Sequence, residues 1–297
     1  MERTKVSAVL MLVAASAMWG FSGVFSREIM AFGFTPYQVT SVRLILTSVL
    51  LLAVLLVFDR GALRIDKRDI PFFLFFGALN LVTNVTLFVA QEHASLSLST
   101  TLQMMSPVWV LIIMFLMYHT RITANKAASI ILSIVGAVMV TGVLFESGSA
   151  STLGIAMGLI SGFSYGIYTL GAKSSLVRGY SPVGTVFWMF TVAALFSLIF
   201  ADPIPVFQQS VSEPLLLAAV IGIAVVITIL PYWLQARSMK VLDATSANVI
   251  GVLEAVAAAM VGFGIYGEVL TIPNIVGMLM IFAAVIVIEM NPKPKEE

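Results

Sequence analysis

Long apolar runs, each cut by a few polar or charged positions, follow one another along the whole 297-residue chain. A membrane-crossing helix needs about 20 mostly apolar residues. Ten runs meet that length, at 6–31, 37–58, 70–91, 97–118, 124–144, 152–176, 183–201, 214–236, 244–267 and 272–290. The connections are short, and only 59–69 and 202–213 exceed a tight turn. The pattern predicts an all-α integral membrane protein of ten transmembrane helices, with no room for a soluble domain. Any chemistry must then sit within the membrane.

Composition agrees. Hydrophobic residues make up 60% of the chain and charged residues 10%, against about 25% charged in soluble domains. Mean hydropathy is +1.04. The net charge of +1 gives no reason to expect nucleic acid or an acidic partner. There is no cysteine, which excludes disulfides, thiolate metal sites and cysteine nucleophiles. The N-terminal "MERTK" runs straight into apolar sequence without a small-residue cleavage site, so the first run is expected to be a retained span. With the N-terminus inside, 14 of the 16 Lys and Arg fall on inner segments. Arg27 is outside and Arg43 lies within a span. Cations favour the cytoplasmic side, so a multi-pass cell-membrane protein with both termini cytoplasmic is expected.

The chain also repeats itself. "WGFSGVFSREIMAFGFTP" aligns with "YGIYTLGAKSSLVRGYSP" at an offset of 146, pairing Trp19 with Tyr165, Gly20 with Gly166 and Pro36 with Pro182. Tyr118 and Thr123 meet Tyr266 and Thr271 at an offset of 148. Two halves follow, 1–147 and 148–297, of five spans each. Five is odd, so the second half is inverted relative to the first. Two inverted five-helix repeats place a shared site near the membrane midplane, where either side can reach it.

Three segments extend this reading: "AASAMWG" (Ala14 to Gly20), Arg43 in "SVRLILTS", and "VLEAVAAAMVGFGIYGE" with Glu254 and Glu268. Over essentially its whole length the chain resembles the EamA family of the drug/metabolite transporter superfamily. The family pattern has Glu-Pro in the ninth span. Here Ala255 stands in place of the proline, while the first half keeps "SP" (Ser106, Pro107) without the glutamate. The resemblance implies export of small metabolites, often amino acids, or of drug-like compounds.

Arg43 and Glu254 are charges inside spans, differing in depth by roughly 6–8 Å. A charge at a helix centre costs about 2.5–3.5 kcal/mol, so neither should face lipid. Two readings stay open. The residues form a salt bridge, direct or through water, tying the halves together, or they line a cavity. In a cavity, Arg43 would hold a substrate carboxylate, and Glu254 would hold an amine or carry a coupling proton. Asn80 and Asn84, four apart on one helix face, and Gln103 are amides able to read polar groups or to bond between helices. Trp19, Tyr165, Tyr168 and Tyr232 are mid-span aromatics. Trp19 and Tyr165, if equivalent, should face each other across a central cavity. Trp109 and Trp233 also fall inside spans.

Gly154, Gly158, Gly162 and Gly166 form a smooth ridge for close helix packing, with a smaller one at Ala247, Gly251, Ala255 and Ala259. Pro107 and Pro231 should kink their helices. His93 and His119 read as interfacial side chains. No spacing suggests a metal, a cofactor or a phosphate loop. The expected function is a secondary transporter exporting a small amphipathic metabolite by alternating access. Uptake or exchange of an organic cation such as choline is the alternative. An intramembrane enzyme would need a converging set of His or Asp that the spans do not offer. The expected partners are a small-molecule substrate, membrane lipid and, for Glu254, a proton.

Overall fold

The structure is a computed structural model that describes residues 2–94, 96–119, 122–143 and 151–290. Arg121, Glu146, Lys293 and Lys295 of the charge pattern, and most of the polar turn at 146–151, lie outside these residues. Every regular element described is helical. In the first half these are α1 (Glu2–Gly20), α2 (Ser22–Ala31), α3 (Pro36–Phe58), α4 (Ile70–His93), α5 (Leu96–Gln103), α6 (Ser106–Tyr118) and α7 (Ala124–Thr141). The second half opens with α8 (Thr152–Val177), α9 (Pro182–Ser197), α10 (Ile204–Ser212) and α11 (Pro214–Ala224). It closes with α12 (Leu230–Ser238), α13 (Ala244–Gly251), α14 (Leu253–Tyr266) and α15 (Ile272–Glu289).

Polar residues before the apolar runs start many of these helices. Thr35, Thr123, Ser151, Ser181, Asp243 and Thr271 each accept a backbone N–H from the first turn. That satisfies a donor with no partner inside the helix. Segment 59–69 folds into two short 3₁₀ turns, and 202–213 carries α10.

Nine described spans are long and apolar enough to cross a membrane; α9 is shorter, at 16 residues. Its crossing is fixed by the chain ends. Lys5 at the start of α1 bridges Glu289 at the end of α15 at 2.8 Å, so the start of α1 and the end of α15 lie at one end and the number of crossings between them is even. We call this end proximal and the other distal.

Four spans are interrupted: at Phe21, between Gln103 and Ser106, at a π turn over Val225–Ile229, and at Val252. Prolines mark two of these. Pro107 sits in the first turn of α6, after a turn at Met104 and Met105, where its missing N–H has no intrahelical partner to lose. Pro231 lies two residues beyond the π turn, in a run that stays helical from Pro214 to Ser238, and a π turn beside a proline bends a helix.

The helices pair symmetrically. α7 packs on α15 and α3 on α9; α4 packs on α8 as α12 does on α1. The glycine ridge of α8 makes close packing possible. A Cβ on Gly158 would lie 2.8 Å from Leu102, and one on Gly162 2.7 Å from the Leu102 carbonyl. The second ridge behaves differently: Gly251 faces open space, and the tight contact is Gly20 of α1 against Ala257 of α14.

Candidate transport cavity

All four interruptions border one cavity of about 140 Å³. Its wall includes Trp19 and Ser22 beside the first break, and Gln103, Met104 and Ser106 at the second. Ile227 and Tyr232 come from the π turn and α12, and Asn248, Gly251, Val252 and Glu254 from the ninth-span break. Arg43 of α3, Thr83, Asn84 and Leu87 of α4, and Tyr165 of α8 complete it. A broken helix brings its unpaired backbone ends to the membrane interior, which is tolerated where they line a cavity.

Seven of the nine residues singled out from sequence lie on this wall: Trp19, Arg43, Asn84, Gln103, Tyr165, Tyr232 and Glu254. Asn80 and Tyr168 do not; both are buried one layer behind it. Asn80 accepts from the Asn84 side chain, through its carbonyl at 2.7 Å and Oδ1 at 3.3 Å. Tyr168 stacks on Tyr165 at 6.2 Å and meets Tyr232 edge-on at 6.1 Å.

Trp19 and Tyr165 both lie on the cavity wall. Arg43 is absent from the described salt bridges, so no direct ion pair with Glu254 ties the halves together. Its Nη2 donates instead to Asn84 Oδ1, beginning a chain that runs on to Asn80. The ring meeting Trp19 is Tyr232, edge-on at 5.2 Å, and Tyr165 instead receives a hydrogen bond from Gln235 at 3.1 Å. Gln103 donates to Ser161 at 3.1 Å. Trp109 packs on Phe163 and Trp233 lies beneath Arg237; neither reaches the cavity.

The wall has polar capacity in reserve. Arg43 Nε and Trp19 Nε1 are buried donors without a hydrogen-bond partner. Burying such a group unpaired costs about 1–3 kcal/mol, a cost a bound acceptor or water would offset. Sequence reading missed Ser106 and Asn248, whose side chains bond each other at 2.9 Å. Ser106 carried a signal: it stands 148 positions before Glu254. The wall repeats that relation in Asn84 and Tyr232, Gln103 and Gly251, and Met104 and Val252. Trp19 and Tyr165 follow at 146.

The sequence profile of the EamA-like transporter family matches residues 6–142 and again 152–290. The chain belongs to the EamA-like transporter family. Its similarity to individual proteins is distributed along its length. It is 28% identical over 276 residues to an uncharacterized transporter of Archaeoglobus fulgidus, covering 93% of this chain and 94% of the relative. It is 25% identical over 291 residues to the uncharacterized inner membrane transporter YicL of Salmonella typhimurium, covering 96% of each. A solved crystal structure shares the fold at a TM-score of 0.74 and 14% identity, over 95% of this chain and 96% of that one. As an EamA-like protein the molecule is a multi-pass membrane transporter, and the cavity is the place in it where polar groups converge.

Proposed function

We propose that this transporter exports a small amphipathic metabolite bearing a carboxylate, such as an amino acid, by alternating access around the cavity. One observation carries the reading. Arg43 and Glu254, from opposite halves, share one cavity wall without pairing with each other. Two opposite charges held apart suit a ligand carrying both. Arg43 supplies a planar donor fork for a carboxylate, and the unpartnered Trp19 indole N–H lies on the same wall. Glu254 faces an amine or a coupling proton. In this reading 1–147 and 148–297 act as the two rocking units, with both termini cytoplasmic. Asn80 and Tyr168 support the site from behind.

A thermal-shift screen of amino acids on purified protein tests this. Stabilisation of wild type that is lost in Arg43→Ala supports it; no stabilisation by any carboxylate ligand removes it. Proton coupling predicts that pH-dependent transport is abolished in Glu254→Gln. A second reading, uptake or exchange of an organic cation such as choline, is favoured by the Trp19–Tyr232 pair on the wall that also holds Glu254. Aromatic faces attract cations. Stabilisation by quaternary ammonium compounds that depends on Glu254 and not on Arg43 would select it.

A further inference from the structure

The three described salt bridges share two properties. Each joins the first half to the second, and each lies at the proximal end: Lys5 to Glu289, Lys126 to Asp243, and Arg178 to Asp69. Described contacts between the halves at the distal end involve no salt bridge. There Gln38 donates to the Asp202 carbonyl at 3.3 Å and Ser41 meets Ser197 at 3.0 Å. Asn274 donates to the Val140 carbonyl at 2.9 Å, and Arg27 lies over the Tyr266 ring. Among the described residues, ionic latches lie at one end only.

One of these bridges acts on the cavity wall itself. Asp243 caps α13, and its carboxylate meets Lys126 of α7 at 3.0 Å. α13 then runs inward from the proximal end, buried from Ala244 to Ile250. It brings Asn248 to Ser106 at the cavity. Just beyond lies the interruption at Val252, where hydrogen bonds reach back only three residues, from Val252 to Val249 and from Ala255 to Val252. Gly251, beside it, has nothing within 4 Å of where a Cβ would stand. α13 thus has a fastening at its outer tip, a second beside the cavity, and a break with free space at its inner end.

We propose that α13 is the proximal gate of the cavity, latched by Asp243 on Lys126 and by Asn248 on Ser106, and opening about the break at Val252. The gate rests on reading the cavity as the transport site. Its outer latch suits repeated use. The Lys126 and Asp243 side chains are 22% and 45% exposed, so water replaces each partner when they separate. A fully buried pair would leave stranded charges. The inner latch is neutral, and once parted both groups become free donors and acceptors on the wall.

The chain's lack of cysteine allows a direct test. Gly251→Cys places the sole thiol on the cavity wall, in open space. Its reaction with a membrane-impermeant maleimide is measured from the proximal side of oriented proteoliposomes. Asp243→Asn removes the charge while keeping an equally good helix cap. It should raise the proximal labelling rate by about fivefold, the scale on which one modest interaction shifts an equilibrium. Lys126→Asp should do the same, and Lys126→Arg, which keeps the positive charge, should leave the rate low. Asp69→Asn, which breaks the bridge to Arg178 at the start of α4, away from the α1 and α15 helices that flank α13, should leave it unchanged. An unchanged rate in both Asp243→Asn and Lys126→Asp, or an equal rise in Lys126→Arg or Asp69→Asn, would overturn the gate. Labelling needs no substrate, so these results stand apart from whether Arg43→Ala loses binding.

Discussion

The fourth and ninth spans are the same device with different chemistry. α5 and α13 occupy 96–103 and 244–251, matching at an offset of 148, and each ends in a break at the cavity. Proline follows one break, as Pro107, while the equivalent position in the other is Ala255. Proline is therefore not what interrupts these helices. Packing is common to both: α8 lies against α5 through glycine, and α1 against α14 through Gly20. Chemistry is what differs. The residue opening onto the cavity is Ser106 in the first half and Glu254 in the second. Arg43 has no charged mate either, since 146 positions on, the offset that pairs Pro36 with Pro182, stands Met189, a fully buried apolar side chain. A near-symmetric frame thus encloses an asymmetric site, with one cation from one half and one anion from the other.

Four measurements sharpen or break that comparison. Gly20→Ala would place its Cβ 2.4 Å from the Ala257 Cβ and 2.7 Å from the Ala258 backbone nitrogen. Overpacking of this kind costs about 1–3 kcal/mol, and the upper end is expected because backbone cannot yield. The matching change, Gly166→Ala, meets its nearest atom, the Ser106 carbonyl, at 3.2 Å and should lose less. Thermal melts in detergent that show equal losses would mean the two breaks are clamped alike.

Arg43→Ala should weaken binding of a carboxylate ligand by about tenfold or more, because hydrogen bonds to charged groups contribute roughly 1.5–3 kcal/mol. Met189→Leu, at the equivalent position of the other half, should change it little. Calorimetric titration showing similar losses from both would remove the asymmetry.

Pro107→Ala should change the melting temperature only slightly, costing under about 1 kcal/mol, since a first-turn proline replaces no internal hydrogen bond. A loss of about 3 kcal/mol would show that this break, unlike the ninth, depends on its proline.

The smallest effect concerns the tip of α13. Burial alone would raise the Asp243 carboxyl pKa, but the Ser246 N–H and Lys126 outweigh it, holding it below the ordinary 3.8. A lowered pKa means the folded state favours the carboxylate, so its contribution is present above that value and is lost as pH falls through the folded pKa. Asp243→Asn should therefore melt slightly below wild type at neutral pH. The gap, about 1 kcal/mol or less for a partly exposed pair, should close on acidification below 3.8. A gap that persists in acid would assign the effect to the cap.

Much of the site was legible because charge and amide are conspicuous in apolar sequence. Arg43, Glu254, Asn84 and Gln103 stood out for that reason, and all four reach the cavity. Asn80 shares a helix face with Asn84 and looked equivalent, yet one turn deeper it serves as acceptor for its neighbour. Tyr168 falls three residues after Tyr165 and turns behind it. Ser106 and Asn248 were overlooked because a small hydroxyl and a lone amide gain meaning only from each other, across 142 positions of chain.

The sequence by itself determined the spans, their alternating direction and the doubling of the frame. These follow from local hydrophobic runs, helix-starting residues and charge placed beside the membrane, each readable within a few turns. Tertiary structure alone decided where the helices break, which polar groups meet, that Arg43 bonds Asn84 and forms no salt bridge with Glu254, and that the described salt bridges gather at one end. Those outcomes depend on which backbone approaches which, and in a membrane that is settled by close packing between distant helices.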